Sequence, residues 1–179
     1  MGDALEKLSR SKIYLDDSPA GEGLLSIKSK ARRLKMESGL DLIIIDYLQL
    51  MSSGNSMNRV QEVSDISRGL KSLARELDVP VVALSQLSRG VEARPDKRPV
   101  MSDLRESGSI EQDADIIGML YRDDYYNEFS ETPGVTNVMI RKNRNGPTGQ
   151  VDLKFEKSQQ KFYELERTAV NEREYVEEY

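Results

Sequence analysis

A carboxylate and an amide occupy comparable places in this sequence. Asp46 ends the apolar run Leu42-Ile43-Ile44-Ile45, and Ser85-Gln86 ends the run Val81-Val82-Ala83-Leu84. Short continuous apolar runs rich in β-branched residues read as strands buried on both faces, as in parallel sheets. Two such strands side by side would bring Asp46 and Gln86 to one carboxyl edge, where open α/β sheets bind ligands. A carboxylate there suits a Mg²⁺ ion carried by a nucleoside triphosphate. A neutral amide suits a γ-phosphate or its attacking water. An ordinary strand-end Asp capping a turn gives the same pattern.

Two further constellations carry cations. Ser102-Asp103-Leu104-Arg105-Glu106-Ser107-Gly108-Ser109 joins an arginine to the backbone freedom of Gly108. Arg105 and exposed amides there could hold nucleic-acid phosphates without reading sequence. The same stretch reads as a helix start, with Ser109 and Gln112 as a capping box, and a capped helix start is itself an anion site. The other constellation is Arg141-Lys142-Asn143-Arg144-Asn145-Gly146. Lys142 and Arg144, two residues apart on a hairpin, project to the same side. They read either as a solvated turn or as an arginine finger reaching a neighbour's triphosphate. No G-x-x-x-x-G-K-[S/T] loop occurs in the 179 residues. Gly69-Leu70-Lys71-Ser72 lies mid-helix and lacks the Gly-Lys pair, and Gly21-Glu22-Gly23 opens no dinucleotide-type turn.

Composition limits the chemistry. The chain has neither Cys nor His, which excludes disulfides, thiolate zinc sites and Cys/His or Ser/His/Asp catalysis. Carboxylates, Lys, Arg and a hard metal ion remain. At 37% hydrophobic and 32% charged, the length fits one soluble domain or a large piece of one. A net charge of -5 argues against a generally basic coat for nucleic acid, while local basic loops stay open to phosphate. No apolar stretch approaches the roughly 18 residues of a membrane span, and no signal peptide is visible. A cytoplasmic chain without membrane contact is expected.

These groups need elements to position them. Met1–Leu8 reads as the last turns of a helix, and Ile13-Tyr14-Leu15 as a short strand before the turn Asp16-Asp17-Ser18-Pro19. Leu24–Met36 is a helix with a basic face (Lys28, Lys30, Arg32, Arg33, Lys35), capped by Gly39. That face is read as solvated or at a subunit contact. A loop through residues 52–56 leads to a helix on which Val60, Val63, Ser67, Leu70, Ala74 and Leu77 recur at helical spacing, closed by Pro80. Strand, helix and strand in this order predict a βαβ unit. After the polar segment Ser85–Asp115, Ile116–Tyr121 is another strand. Val138–Ile140, Val151–Phe155 and Phe162–Leu165 then read as antiparallel strands, the first two joined through Asn145-Gly146, a hairpin signal. From Arg167 onward the sequence is acidic and reads as a solvated tail.

In this order the motifs resemble the DnaB-type bacterial replicative helicases. Ile45-Asp46-Tyr47-Leu48-Gln49-Leu50 and Val82-Ala83-Leu84-Ser85-Gln86-Leu87-Ser88-Arg89 match one motif region of that family. Asp96-Lys97-Arg98-Pro99 and the run Ser102 to Asp115 are closer still. Tyr121-Arg122-Asp123-Asp124-Tyr125-Tyr126 and Arg144-Asn145-Gly146-Pro147 continue the match. The resemblance extends from about Leu5 to Leu165.

It implies an α/β fold: a RecA-like (P-loop NTPase) core with a mainly parallel central sheet and a C-terminal antiparallel hairpin region. Residues 1–166 would form part of the RecA-like motor domain, truncated at the N-terminus so that the P-loop is missing, and 167–179 an acidic flexible tail. The implied activity is ATP-driven 5′–3′ translocation on single-stranded DNA and duplex unwinding at the replication fork, by a homohexameric ring. ATP and Mg²⁺ are the implied cofactors. Asp46 would be the Walker-B acid toward Mg²⁺ and Gln86 the γ-phosphate sensor. Lys142 and Arg144 would enter the next subunit's ATP site, and Arg105, Glu106 and Gly108 would form the loop that holds DNA. Where the family commonly has Gln between the two cations, this chain has Asn143. Expected partners are single-stranded DNA, further copies of the chain, a helicase loader, primase and a phage inhibitor. Without its P-loop the fragment alone is expected not to hydrolyse ATP. An alternative is a P-loop-less RecA-like adaptor that binds a loader, primase or phage protein. A recombinase of the RecA kind shares the fold, but the run from Ser102 to Asp115 resembles the helicases instead.

Overall fold

The structure is a computed structural model that describes residues 2–18, 23–51 and 59–165. The tail from 167, the loop at 52–56 and the Gly21-Glu22 pair lie outside the described residues. Helix α1 spans Gly2–Ser9 and α2 spans Leu24–Ser38. Strand β1 (Ile43–Ile45) leads through a 3₁₀ turn at Leu48–Leu50 to α3 (Arg59–Leu77) and β2 (Val81–Ala83). Short helices α4 (Gly90–Ala93) and α5 (Gly108–Asp113) flank 3₁₀ turns over Met101–Ser107 that break at Leu104. Next come β3 (Ile116–Tyr121), α6 (Asp123–Tyr126), β4 (Val135–Asn143), β5 (Gly149–Glu156) and β6 (Lys161–Glu164).

The expected βαβ unit is present. β1 and β2 pair in parallel, with Ile43, Ile44 and Ile45 beside Val81, Val82 and Ala83. Parallel neighbours need a long crossover, and α3 provides it. Ile116–Tyr121 does not extend this pair. It opens a separate four-stranded antiparallel sheet in the order β3-β4-β5-β6. Ile117, Met119 and Tyr121 alternate inward along β3 and pack with Leu104 and Met139. A second core joins Leu48, Met51, Ile66 and Leu70 to Leu24, Ile27, Ile45 and Val81.

Three local expectations are corrected. Ile13-Tyr14-Leu15 forms no strand and is exposed, because a three-residue apolar run needs a ladder partner and finds none among the described residues. On α3 the buried stripe is Val63, Ile66, Leu70 and Leu73, with Val60 exposed. The stripe turns toward the large aliphatic side chains Ile66 and Leu73 and leaves Ser67 and Ala74 at its flanks. Ser109 lies inside α5 instead of capping it, and its buried Oγ has no partner among the described residues.

The ends of the helices follow simple chemistry. Gly39 ends α2 at φ 78°, a conformation that costs glycine little. Asp78 turns the chain at φ 51° after α3, and Pro80 cannot continue a helix. Gly69 lies within α3 where Leu24 of α2 crosses, and a Cβ there would stand 2.0 Å from Leu24 Cδ2. The basic face of α2 is largely engaged inside the chain. Arg32 grips Glu76 through two bonds of 2.5 and 2.8 Å, Lys30 pairs with Asp16 at 2.8 Å, and Lys35 donates to the Leu40 carbonyl. No helix among the described residues is long and apolar enough to cross a membrane.

Candidate functional site

Asp46 follows the last residue of β1 and is exposed at the carboxyl edge of the parallel pair. The register places Leu84 next to it, and Gln86 stands two residues further on at the same edge. The ladder continues past both strands: the Leu84 N–H donates to Ile45 O and the Leu48 N–H to Leu84 O, each at 2.9 Å. Sequence reasoning assigned no task to Gln49, yet its amide pins this edge. Its Oε1 accepts the Gln86 N–H at 3.1 Å, and its Nε2 donates to Ser85 Oγ at 3.1 Å and Gln86 O at 3.3 Å. Only the side chain's place in the fold reveals this clamp. In the sequence it is one polar residue in an apolar run.

A cleft of about 300 Å³ opens beside the clamp, lined by Gln49, Gln86, Ser88, Arg89, Asp103 and Leu104. Its far wall is held by charge. Asp103 is 6% exposed and accepts both arms of the Arg94 guanidinium at 2.8 Å, together with the Val100 N–H at 2.8 Å. Burial alone would raise the Asp103 carboxyl, but the Arg94 fork and the Val100 N–H outweigh it and leave its pKa lowered. The Ser88 N–H donates to Asp103 O at 2.9 Å, so the segment after Gln86 is tied to the turn before Arg105. Arg105, Glu106 and Gly108 follow in 105–108, whose side chains lie outside the described residues. Their backbone passes from the 3₁₀ turns into the start of α5.

Lys142 and Arg144 do reach to one side, and they meet α5. Lys142 Nζ donates to Glu111 O at 2.5 Å and to Gln112 O at 3.4 Å, and the Arg144 guanidinium donates to Gln112 O. These carbonyls belong to the last turn of a helix, where intrahelical donors are lacking and cations are favoured. The β3–β4 register slips by one residue between Ile117 and Gly118, which leaves Arg141 unmatched just before the two cations. Such a bulge re-aims the side chains that follow it, and the sequence pattern gives no sign of it. Asn143 closes the turn beyond: its Oδ1 accepts the Asn145 N–H at 3.3 Å and its Nδ2 donates to Pro147 O at 3.1 Å. A Cβ on Gly146 would stand 2.9 Å from that amide, so the turn favours glycine there. The cations are thus engaged within the chain by the last turn of α5.

The donor set bears on what the strand edge can hold. No group of three or more His, Cys, Asp or Glu side chains converges as a metal cage among the described residues. Mg²⁺ in nucleotide sites uses one or two carboxylates and completes its octahedron with phosphate oxygens and water. A single exposed carboxylate beside a polar amide therefore fits a phosphate-borne Mg²⁺.

Comparison with known proteins gives a consistent picture. The family model for the DnaB-like helicase C terminal domain matches residues 1–164. The chain is 62% identical over 166 residues to the replicative DNA helicase DnaC of Bacillus subtilis, covering 92% of this chain and 36% of that protein. It is 61% identical to the replicative DNA helicase DnaB of Geobacillus stearothermophilus with the same coverage. Among solved structures, a DnaB-like replicative helicase described with its interactions with primase superposes with a TM-score of 0.87 at 50% identity, covering 92% of this chain and 40% of that one. A solved ATPase domain superposes with a TM-score of 0.88 at 50% identity, covering 92% and 59%. The chain thus spans about a third of the curated relatives it matches.

Proposed function

Because this chain belongs to the family of DnaB-like helicase C-terminal domains, we propose that it is the later part of the ATPase motor of a hexameric replicative DNA helicase. The whole protein couples ATP hydrolysis to 5′–3′ movement on single-stranded DNA and separates the duplex at the fork, in the cytoplasm. The observation that carries this reading is the carboxyl edge of the parallel pair, where the Gln49 clamp holds Gln86 beside the strand that Asp46 ends.

Each group has its own task. Asp46 would hold Mg²⁺-ATP through its carboxylate, where the ion would supply positive charge to the phosphate oxygens. The Gln86 amide orients the water that attacks the γ-phosphate. Lys142 and Arg144 leave the α5 carbonyls and donate to the transferring phosphoryl group of the neighbouring copy. Arg105, with the backbone at Glu106 and Gly108, follows the DNA phosphates without reading bases.

The 179 residues contain no G-x-x-x-x-G-K-[S/T] cradle, so the chain alone leaves ATP intact and the remainder of the motor supplies that loop. The exposed apolar residues Ile44 (64%) and Val82 (47%) on the two-stranded parallel sheet support this division, since parallel sheets are covered on both faces. Primase and a helicase loader are the partners of the whole ring, and a phage inhibitor acts on the same assembly.

The test is unwinding of a forked duplex by the full-length protein. Asp46→Ala should abolish ATP-dependent strand separation while single-strand binding persists. Unwinding at the wild-type rate by that variant would refute the assignment.

A further inference from the structure

Asp115 sits where three elements meet. It follows α5, its carboxylate pairs with Lys71 of α3, and its Oδ1 lies 3.9 Å from the Nε of Arg144. The Arg144 N–H also donates to the Asp115 carbonyl at 2.9 Å. Backbone and carboxylate of one residue therefore fix the root of the Arg144 side chain and face its head.

We propose that Asp115 is a positioning residue for Arg144: held by Lys71, it aims the guanidinium at the phosphate of a neighbouring copy. This deepens the assignment of Arg144 as a trans-acting cation and rests on it. Lys71 makes the mount rigid, because it stands on the core helix between the buried Leu70 and Leu73. The Lys71 ammonium lowers the Asp115 carboxyl, and Arg144 and Arg75 lower it further, so it carries its charge at neutral pH. At 3.9 Å the attraction to Arg144 orients without a direct hydrogen bond. The Gln112 carbonyl is a neutral acceptor. A triphosphate, with several charges, outcompetes both, and Arg144 at 45% exposure is open to it. The C-terminal turn of α5 thus parks the guanidinium, and Asp115 sets the direction in which it leaves. Because α5 begins at Gly108, the same six-residue helix joins the DNA loop to this mount.

The experiment is steady-state, DNA-stimulated ATP hydrolysis by the full-length protein carrying Asp115→Asn, Asp115→Glu, Arg144→Ala or Asp115→Asn with Arg144→Ala. Asp115→Asn keeps shape and backbone and removes charge. It should lower kcat about tenfold with little change in KM, the mark of a group acting in the transition state. Asp115→Glu should recover part of that loss. Arg144→Ala should lose about a thousandfold, and adding Asp115→Asn to it should cost nothing more, since both changes remove one function. If Arg144→Ala is inactive and Asp115→Asn turns over like wild type, the positioning proposal falls while the arginine-finger reading stands. Losses that add in the double variant would also overturn it. If Arg144→Ala itself retains wild-type turnover, the underlying reading falls.

Discussion

Arg94 and Asp103 form a two-pronged ion pair, each guanidinium arm 2.8 Å from one carboxylate oxygen. Arg94 also donates to the Arg98 carbonyl at 2.9 Å and to the Asp96 carbonyl at 3.3 Å. One side chain thereby folds the polar segment 94–103 against the cleft beside Gln86. Planar bidentate geometry makes Arg the residue for this task, and Lys would supply one point charge in place of the fork.

Breaking that pair should destabilise the chain. Removing one partner of a buried pair costs roughly 3–5 kcal/mol, and the partial exposure of Arg94 reduces this to about 2 kcal/mol. Asp103→Ala is expected to lower the urea midpoint at neutral pH accordingly. An unchanged midpoint would show that the clasp contributes nothing to stability.

Acid should weaken the antiparallel sheet before alkali does. Asp124 is paired with Lys157 at 2.9 Å and Arg122 at 3.0 Å and accepts the Gly134 N–H at 3.2 Å. The Lys157 ammonium is the chief cause of a carboxyl pKa lowered to about 2; burial opposes it, and Arg122 and the Gly134 N–H add to it. A carboxyl lowered on folding stabilises fully above its unfolded value near 4, and that contribution is lost as pH falls through the folded value. The chain contains no His, so no ordinary histidine titration intervenes near neutrality. Urea midpoints should hold from about pH 5 to 8 and fall below about pH 4. The fall should be shallower in Asp124→Asn, and an identical acid limb in that variant would contradict the assignment.

Gln49 gives a test of the clamp on Gln86. Gln49→Ala removes the hydrogen bonds that hold the Gln86 backbone N–H and carbonyl and the Ser85 hydroxyl. In the full-length protein it should lower kcat for ATP about tenfold and leave KM nearly unchanged. A rise in KM alone would mean that Gln49 helps binding and does not orient the sensor.

Arg105 gives a test on the DNA side. Arg105→Ala in the full-length protein should weaken single-strand binding equally for all sequences. It should also lessen the slope of log affinity against log salt by about 0.7 for each DNA phosphate the arginine neutralises. Sequence-dependent losses, or an unchanged slope in a salt titration, would remove Arg105 from the groups that hold the backbone.

The parts legible in the sequence were those with a local cause. Leu42–Ile45 and Val81–Leu84 announced strands that do pair in parallel, but not burial on both faces, since Leu42, Ile44, Val82 and Leu84 are exposed. Pro80 and Gly39 marked helix ends, and Asn145-Gly146 marked the hairpin. Their order gave the βαβ unit and, with it, the shared edge of Asp46 and Gln86. What escaped depends on tertiary contact. Ile13–Leu15 has strand composition but no neighbour to pair with among the described residues. The bulge opposite Ile117 and Gly118 shifts β4 by one residue without a composition signal. Gln49, Arg94 and Asp115 are ordinary polar residues in sequence. They gain their tasks only when the fold brings Gln86, Asp103 and Arg144 to them.

The central claim is that Asp46 and Arg144 serve one ATP site from two different copies. Mixing full-length subunits carrying Asp46→Ala with subunits carrying Arg144→Ala, each inactive by itself, tests this most directly. In a mixed ring, some interfaces pair the intact Asp46 of one variant with the intact Arg144 of the other, so DNA-stimulated ATP hydrolysis should return on mixing. A mixture that assembles into rings, binds DNA and stays as inactive as its components would contradict the account.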